Sequence, residues 1–61
     1  MKKWSIVFYN PKENVYTSDI CEHMTFQEAA REAYLRRRTK GLDVQIVSVS
    51  SVENTNHNKA K

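Results

Sequence analysis

Residue types that often carry chemistry are sparse in this 61-residue chain, and the first pair to consider is Cys21 with His23. Cys21 is the only cysteine, and its spacing of two from His23 places both side chains on one face of a β-strand. A structural zinc site needs four ligands, and the second histidine, His57, falls in the polar C-terminal stretch. We therefore expect no metal site and no cofactor.

Cys21 and His23 are also the residues of this sequence that most resemble a catalytic cysteine and its general base. Such a nucleophile needs a base that is oriented by a third group, and a chain this short leaves little room for a cleft. Glu22, Glu32 and Asp43 show no spacing that singles them out, and Gly41, the one glycine, excludes a glycine-rich phosphate loop. We expect no catalytic residues and a protein that is not an enzyme.

Positive charge is concentrated in one segment. The chain carries ten basic and seven acidic residues, and five of the basic ones lie between positions 31 and 40. Cations in a last helical turn complement the helix dipole, and Glu32 can pair with Arg36 at i,i+4, which accounts for part of the cluster. The remainder indicates a contact surface, with the candidate residues Arg31, Arg36, Arg37, Arg38 and Lys40.

Three segments with the composition of β-strands must position these residues. The first, Lys3–Tyr9, ends at a turn-forming Asn-Pro, and the second, Val15–Cys21, is polar enough for an edge strand. The third, Leu42–Val52, changes the phase of its apolar positions after Ile46, which predicts either a β-bulge near Ile46 and Val47 or a strand with both faces partly covered. We expect residues 53–61 to be a disordered polar tail.

A capping box at Thr25 and Glu28 predicts a helix from Phe26 to about Thr39. Gly41 follows, and glycine can take the left-handed conformation that often ends a helix. Helical periodicity predicts one side of this helix to face the sheet, and Tyr34 lies at the border of that stripe. The residues of the stripe are Phe26, Ala29, Ala30, Ala33 and Arg37. Leu35 points away from this stripe, either as an ordinary exposed leucine or as a contact residue.

These elements predict an α+β domain over residues 1–52, with ββαβ order, a three-stranded antiparallel sheet of order 2-1-3, and the helix on one face. Apolar residues would then remain on the uncovered face, which should show some of Val7, Tyr9, Val47 and Val49. Exposed apolar patches usually mark interaction surfaces. The four residues therefore predict a partner surface or a homodimer contact.

This layout resembles small phage-encoded host-takeover proteins, above all the early inhibitors of host RNA polymerase from short-tailed coliphages. The similar stretches are KKW at the start of strand one, Thr25, Glu28 and Ala29 at the start of the helix, and Gly41 followed by LDVQIVSV. The resemblance implies the ββαβ fold and a role in binding a host protein, with RNA polymerase as one such target.

The residues on which binding depends in that family do not match here. The family uses arginines in its last strand and an acid in its first, whereas strand one here has no acid and the corresponding part of strand three has Gln45, Val47, Ser48 and Val49. No functional residue can therefore be carried over.

Two functions follow as hypotheses from these observations. The first is a phage-derived inhibitor-like protein that binds and modulates a host protein, and the alternative is a nucleic-acid-binding module that uses the basic helix end. No segment approaches the roughly 20 apolar residues of a membrane span. The lone cysteine and the lack of a signal peptide predict a cytoplasmic location in the host cell.

Overall fold

The computed structural model describes residues 1–52 of the chain. Its elements are β1 (Lys2–Asn10), β2 (Val15–His23), α1 (Phe26–Lys40) and β3 (Gln45–Val52). The strands form an antiparallel sheet of order β2-β1-β3, and α1 packs on one face. This confirms the predicted ββαβ fold, whereas the predicted tail at 53–61 lies outside the described residues.

β1 is the central strand, and one of its faces supplies most of the core. Trp4, Ile6 and Phe8 are buried, in keeping with the alternation of the sequence. Ala29 and Ala33 of α1 are fully buried above them, and small side chains at these positions allow the helix to lie close to the sheet. The core is completed by Cys21 and Val44.

The ends of α1 have the residues that the sequence indicates. Thr25 is the N-cap, and both hydrogen bonds of the capping box with Glu28 are formed. The backbone N–H of Gly41 donates to Arg37 O at 3.1 Å. Gly41 has φ +149° and ψ 157°, a region open to glycine, but it is not the left-handed helical conformation predicted.

The predicted sheet-facing stripe of α1 is buried only at its centre. Phe26 is 53% exposed, and its ring packs edge-on against Trp4 with 6.0 Å between centroids. Leu35 is largely exposed, as its position on the helical wheel predicts, and Tyr34, placed at the border of the stripe, is largely exposed too. In the described part of the chain, the helix is neither long nor apolar enough to cross a bilayer.

β3 begins three residues later than predicted. Leu42 and Asp43 form a turn in which the Val44 N–H donates to Gly41 O at 3.3 Å. Leu42 is therefore 92% exposed, and the prediction that it lies in the strand is wrong, whereas Val44 is buried.

A β-bulge explains the change of phase in β3. Val7 pairs with Ser48 and Phe8 with Ile46, so Val47 is the extra residue. Beyond the bulge, Val49 pairs with Ile6 and packs against the core. Of the four residues considered for the uncovered face, Val49 is therefore not one, because the inserted residue turns it towards α1.

Candidate functional site

A polar network joins α1 to the edge strand β2. Glu32, Arg36 and Lys40 lie four residues apart and so project from one side of the helix. Opposite them on β2 are Asp19 and His23. These five side chains form the interface network between the helix and the outermost strand.

Each carboxylate in the network has two partners. The His23 Nε2–H donates to Glu32 Oε1, while Arg36 Nε donates to Glu32 Oε2 at 2.6 Å. Arg36 Nη1 also donates to Asp19 Oδ2 at 3.1 Å, and Lys40 Nζ lies 3.5 Å from the same oxygen. Arg36 thus bridges an acid of the helix and an acid of the strand.

The network affects the protonation of its members. The hydrogen bond from His23 holds the pKa of the Glu32 carboxyl below its ordinary value, against the opposing effect of burial, and Arg36 contributes in the same direction. Burial, and then the nearby charge of Glu32, raise the pKa of the Cys21 thiol. Cys21 is therefore held as a neutral thiol, the opposite of what an activated nucleophile requires.

Cys21, His23 and Glu32 come together at one end of this network. Their donor atoms, one from each residue, all lie within 4.8 Å of one another. The spacing of Cys21 and His23 was visible in the sequence, but Glu32 was missed as their neighbour. Its only local signal was the i,i+4 relation to Arg36, and its approach to β2 depends on how α1 crosses the sheet.

An open groove of about 420 Å³ runs along the exposed side of α1 beside the end of β2. Leu35, 55% exposed, is its main apolar side chain. Charged and polar side chains surround it. The residues that line the groove are His23, Glu28, Arg31, Glu32, Leu35, Arg36 and Thr39.

The five cations of the predicted basic contact surface fall into two groups, those with partners inside the fold and those without. Arg36 and Lys40 belong to the network, and Lys40 Nζ also lies 4.8 Å from the centroid of the Phe8 ring. Arg37 Nη1 donates to Val44 O at 3.3 Å. Within residues 1–52, Arg31 and Arg38 are exposed and make no hydrogen bond or ion pair. Three of the five cations are therefore engaged inside the fold.

The uncovered sheet face also carries Tyr16 and Ile20 of β2, which were not among the residues predicted there. Val7 and Tyr9 are partly exposed there, and Tyr9 packs on Tyr16 with 4.7 Å between ring centroids. The cross-strand neighbours of Val7 are Ser18 and Ser48. Val47, in the bulge, is 53% exposed.

Comparisons with protein-family models, curated proteins and solved structures found no match. The resemblance to phage inhibitors of RNA polymerase therefore stays a prediction.

Proposed function

We propose that this chain is a small non-enzymatic protein that binds another protein and modulates it, through the outer edge of β2 and the groove beside it. The partner contributes an extended segment that adds to the sheet as a fourth strand. One apolar side chain of that segment enters the groove at Leu35.

The unpaired outer edge of β2 supports this proposal most directly. β2 pairs with β1 over nine residues in continuous register, and its other side faces no strand among residues 1–52. Of the features that protect such edges, β2 has charged residues, namely the acids Asp19 and Glu22, but it has no bulge, proline or lysine. The edge of β3, by contrast, is interrupted by the bulge at Val47. Strand addition is a common mode of peptide recognition.

The groove supplies specificity beside the edge. Leu35 is surrounded by Glu28, Arg31, Glu32 and Arg36. An apolar centre within a polar rim is the usual anatomy of a protein contact. Arg31 is the cation of this rim that has no partner within residues 1–52, and it can pair with an acid of the incoming segment.

The partner itself is proposed from the resemblance described above. It is a protein of a bacterial host, with the transcription machinery as one target, and the chain is a phage-derived modulator of it. The nucleic-acid alternative is less favoured, since Arg36, Arg37 and Lys40 are engaged within the fold.

The test compares tagged wild-type protein with Leu35→Glu and Leu42→Glu in nuclease-treated bacterial lysate. Both leucines are exposed, but Leu42 lies in the turn before β3 and outside the groove. We expect a stoichiometric protein to be retained by the wild type and by Leu42→Glu, and lost with Leu35→Glu. With that protein bound, the amide hydrogens of β2 should exchange more slowly.

Two results would contradict the proposal. Equal retention by Leu35→Glu and the wild type would remove the groove as the contact surface. Recovery of nucleic acid without a stoichiometric protein, in lysate not treated with nuclease, would favour the alternative function.

A further inference from the structure

We propose that Cys21, His23 and Glu32 form a Zn²⁺ site with three protein ligands and a fourth position that opens on the groove. The inference concerns the isolated protein and is independent of the binding partner.

The three donors are close enough to share one ion. Their donor atoms lie within 4.8 Å of one another. Ligand atoms around a tetrahedral zinc ion are roughly 3.3–3.8 Å apart, given bond lengths of about 2.0–2.3 Å. The largest separation must therefore shrink by about 1 Å, whereas His23 and Glu32, which are already in hydrogen-bond contact, must move apart to admit the ion.

The buried side of the site is formed by Cys21. It is 6% exposed, and its thiol makes no hydrogen bond within residues 1–52. The side chains of His23 and Glu32 are each 26% exposed, and both line the groove. An ion held by the three donors would therefore be enclosed on the sheet side, with its free position towards the groove.

Neighbouring groups already orient Glu32 as a ligand. Glu32 Oε1 faces His23, while Oε2 is held by Arg36, which is itself held by Asp19. Oε1 can therefore move to a metal ion while Oε2 keeps its ion pair. A carboxylate held in this way by a second group is typical of metal ligands in proteins. The indole N–H of Trp4 donates to the backbone oxygen of His23 at 3.0 Å, which holds the main chain at this ligand.

The donor set selects the type of ion. A thiolate, an imidazole and a carboxylate suit Zn²⁺, whereas Mg²⁺ and Ca²⁺ prefer oxygen ligands alone. On binding, Cys21 releases its thiol proton to solvent and the ligating nitrogen of His23 carries no proton, so the thiolate and the Glu32 carboxylate balance the charge of the ion. Three protein ligands with one open position are characteristic of zinc sites that accept a further ligand.

The experiment titrates Zn²⁺ into chelator-stripped full-length protein in competition with a chromogenic indicator, and uses Co²⁺ as a spectroscopic probe. We expect one Zn²⁺ per chain and a thiolate-to-cobalt absorption band in the near ultraviolet. That band reports Cys21 directly in the wild type, so the result does not depend on whether a Cys21 variant folds.

Matched variants locate the other ligands. We expect His23→Gln and Glu32→Gln to weaken Zn²⁺ binding by roughly tenfold or more. Glu22→Gln alters an exposed acid of the same strand, and His57→Gln alters the other histidine, so both should bind as the wild type does. Absence of Zn²⁺ binding, a cobalt spectrum without the thiolate band, or unchanged binding by His23→Gln and Glu32→Gln would each overturn the proposal.

Discussion

Arg36 and Arg38 are two residues apart in the basic segment, but their guanidinium groups have different surroundings. Arg36 is only 34% exposed at its side chain and bridges Glu32 and Asp19. Arg38 is exposed and makes no polar contact within residues 1–52. At the scale of the residue, therefore, one cation holds the helix to the edge strand and the other is available to a partner.

This difference predicts unequal effects on stability. Hydrogen bonds to charged groups contribute about 1.5–3 kcal/mol each, and exposure reduces that value. We expect Arg36→Ala to lower the free energy of unfolding by about 1–2 kcal/mol, because two carboxylates lose their shared partner. Arg38→Ala should stay within about 0.5 kcal/mol of the wild type. Denaturant unfolding measures both, and equal losses would contradict the role given to Arg36.

At the scale of the element, α1 begins where its capping box satisfies the first backbone N–H groups. Thr25 Oγ1 accepts from the Glu28 N–H at 3.2 Å, and Glu28 Oε1 accepts from the Thr25 N–H at 3.1 Å. The directions of Glu32, Arg36 and Leu35 follow from their spacing to Ala29 and Ala33, which face the sheet. The capping box stabilises the first turn of the helix that carries them.

Replacement of the cap tests how much it contributes to stability. Thr25→Ala removes the side-chain acceptor and should cost about 0.5–2 kcal/mol. A domain of this size has only about 3–5 kcal/mol of stability, so we expect the melting temperature to fall by several degrees. Thr25→Ser keeps the hydroxyl and should melt close to the wild type. If Thr25→Ala melts as the wild type does, the helix gains nothing from this cap.

At the scale of the whole molecule, the sheet has one covered and one uncovered face. The covered face holds the core of seven buried residues. The uncovered face carries Val7, Tyr9, Tyr16 and Ile20 together with several serines. Because the groove and the helix lie on the other side, self-association through the uncovered face would leave the proposed partner site accessible.

A homodimer through this face remains a prediction, and sedimentation tests it. A small core benefits from further burial, and we expect the wild type to sediment above its monomer mass of 7.2 kDa at micromolar concentration. Ile20→Glu places a charge on the uncovered face at a residue that is 54% exposed, and it should shift the protein towards monomer. A concentration-independent 7.2 kDa species in the wild type would remove the dimer.

The elements and their order followed from the sequence by itself, because local patterns determine them. The alternation of Trp4, Ile6 and Phe8 indicates a strand, and the pair Thr25 and Glu28 marks the start of a helix. The short connections then leave few topologies for three strands and a helix. For the same reason, the exposure of Leu35 could be predicted from helical periodicity.

Only the tertiary structure decided which side chains from different elements meet. The bulge at Val47 turns Val49 inwards, and the sequence indicated a bulge only as one of two possibilities. The crossing of α1 over the sheet brings Glu32 to Cys21 and His23, and it engages Arg36 and Lys40 with Asp19. Such contacts depend on strand register and helix orientation, which arise from packing of the whole domain and leave no local signal at the residues concerned.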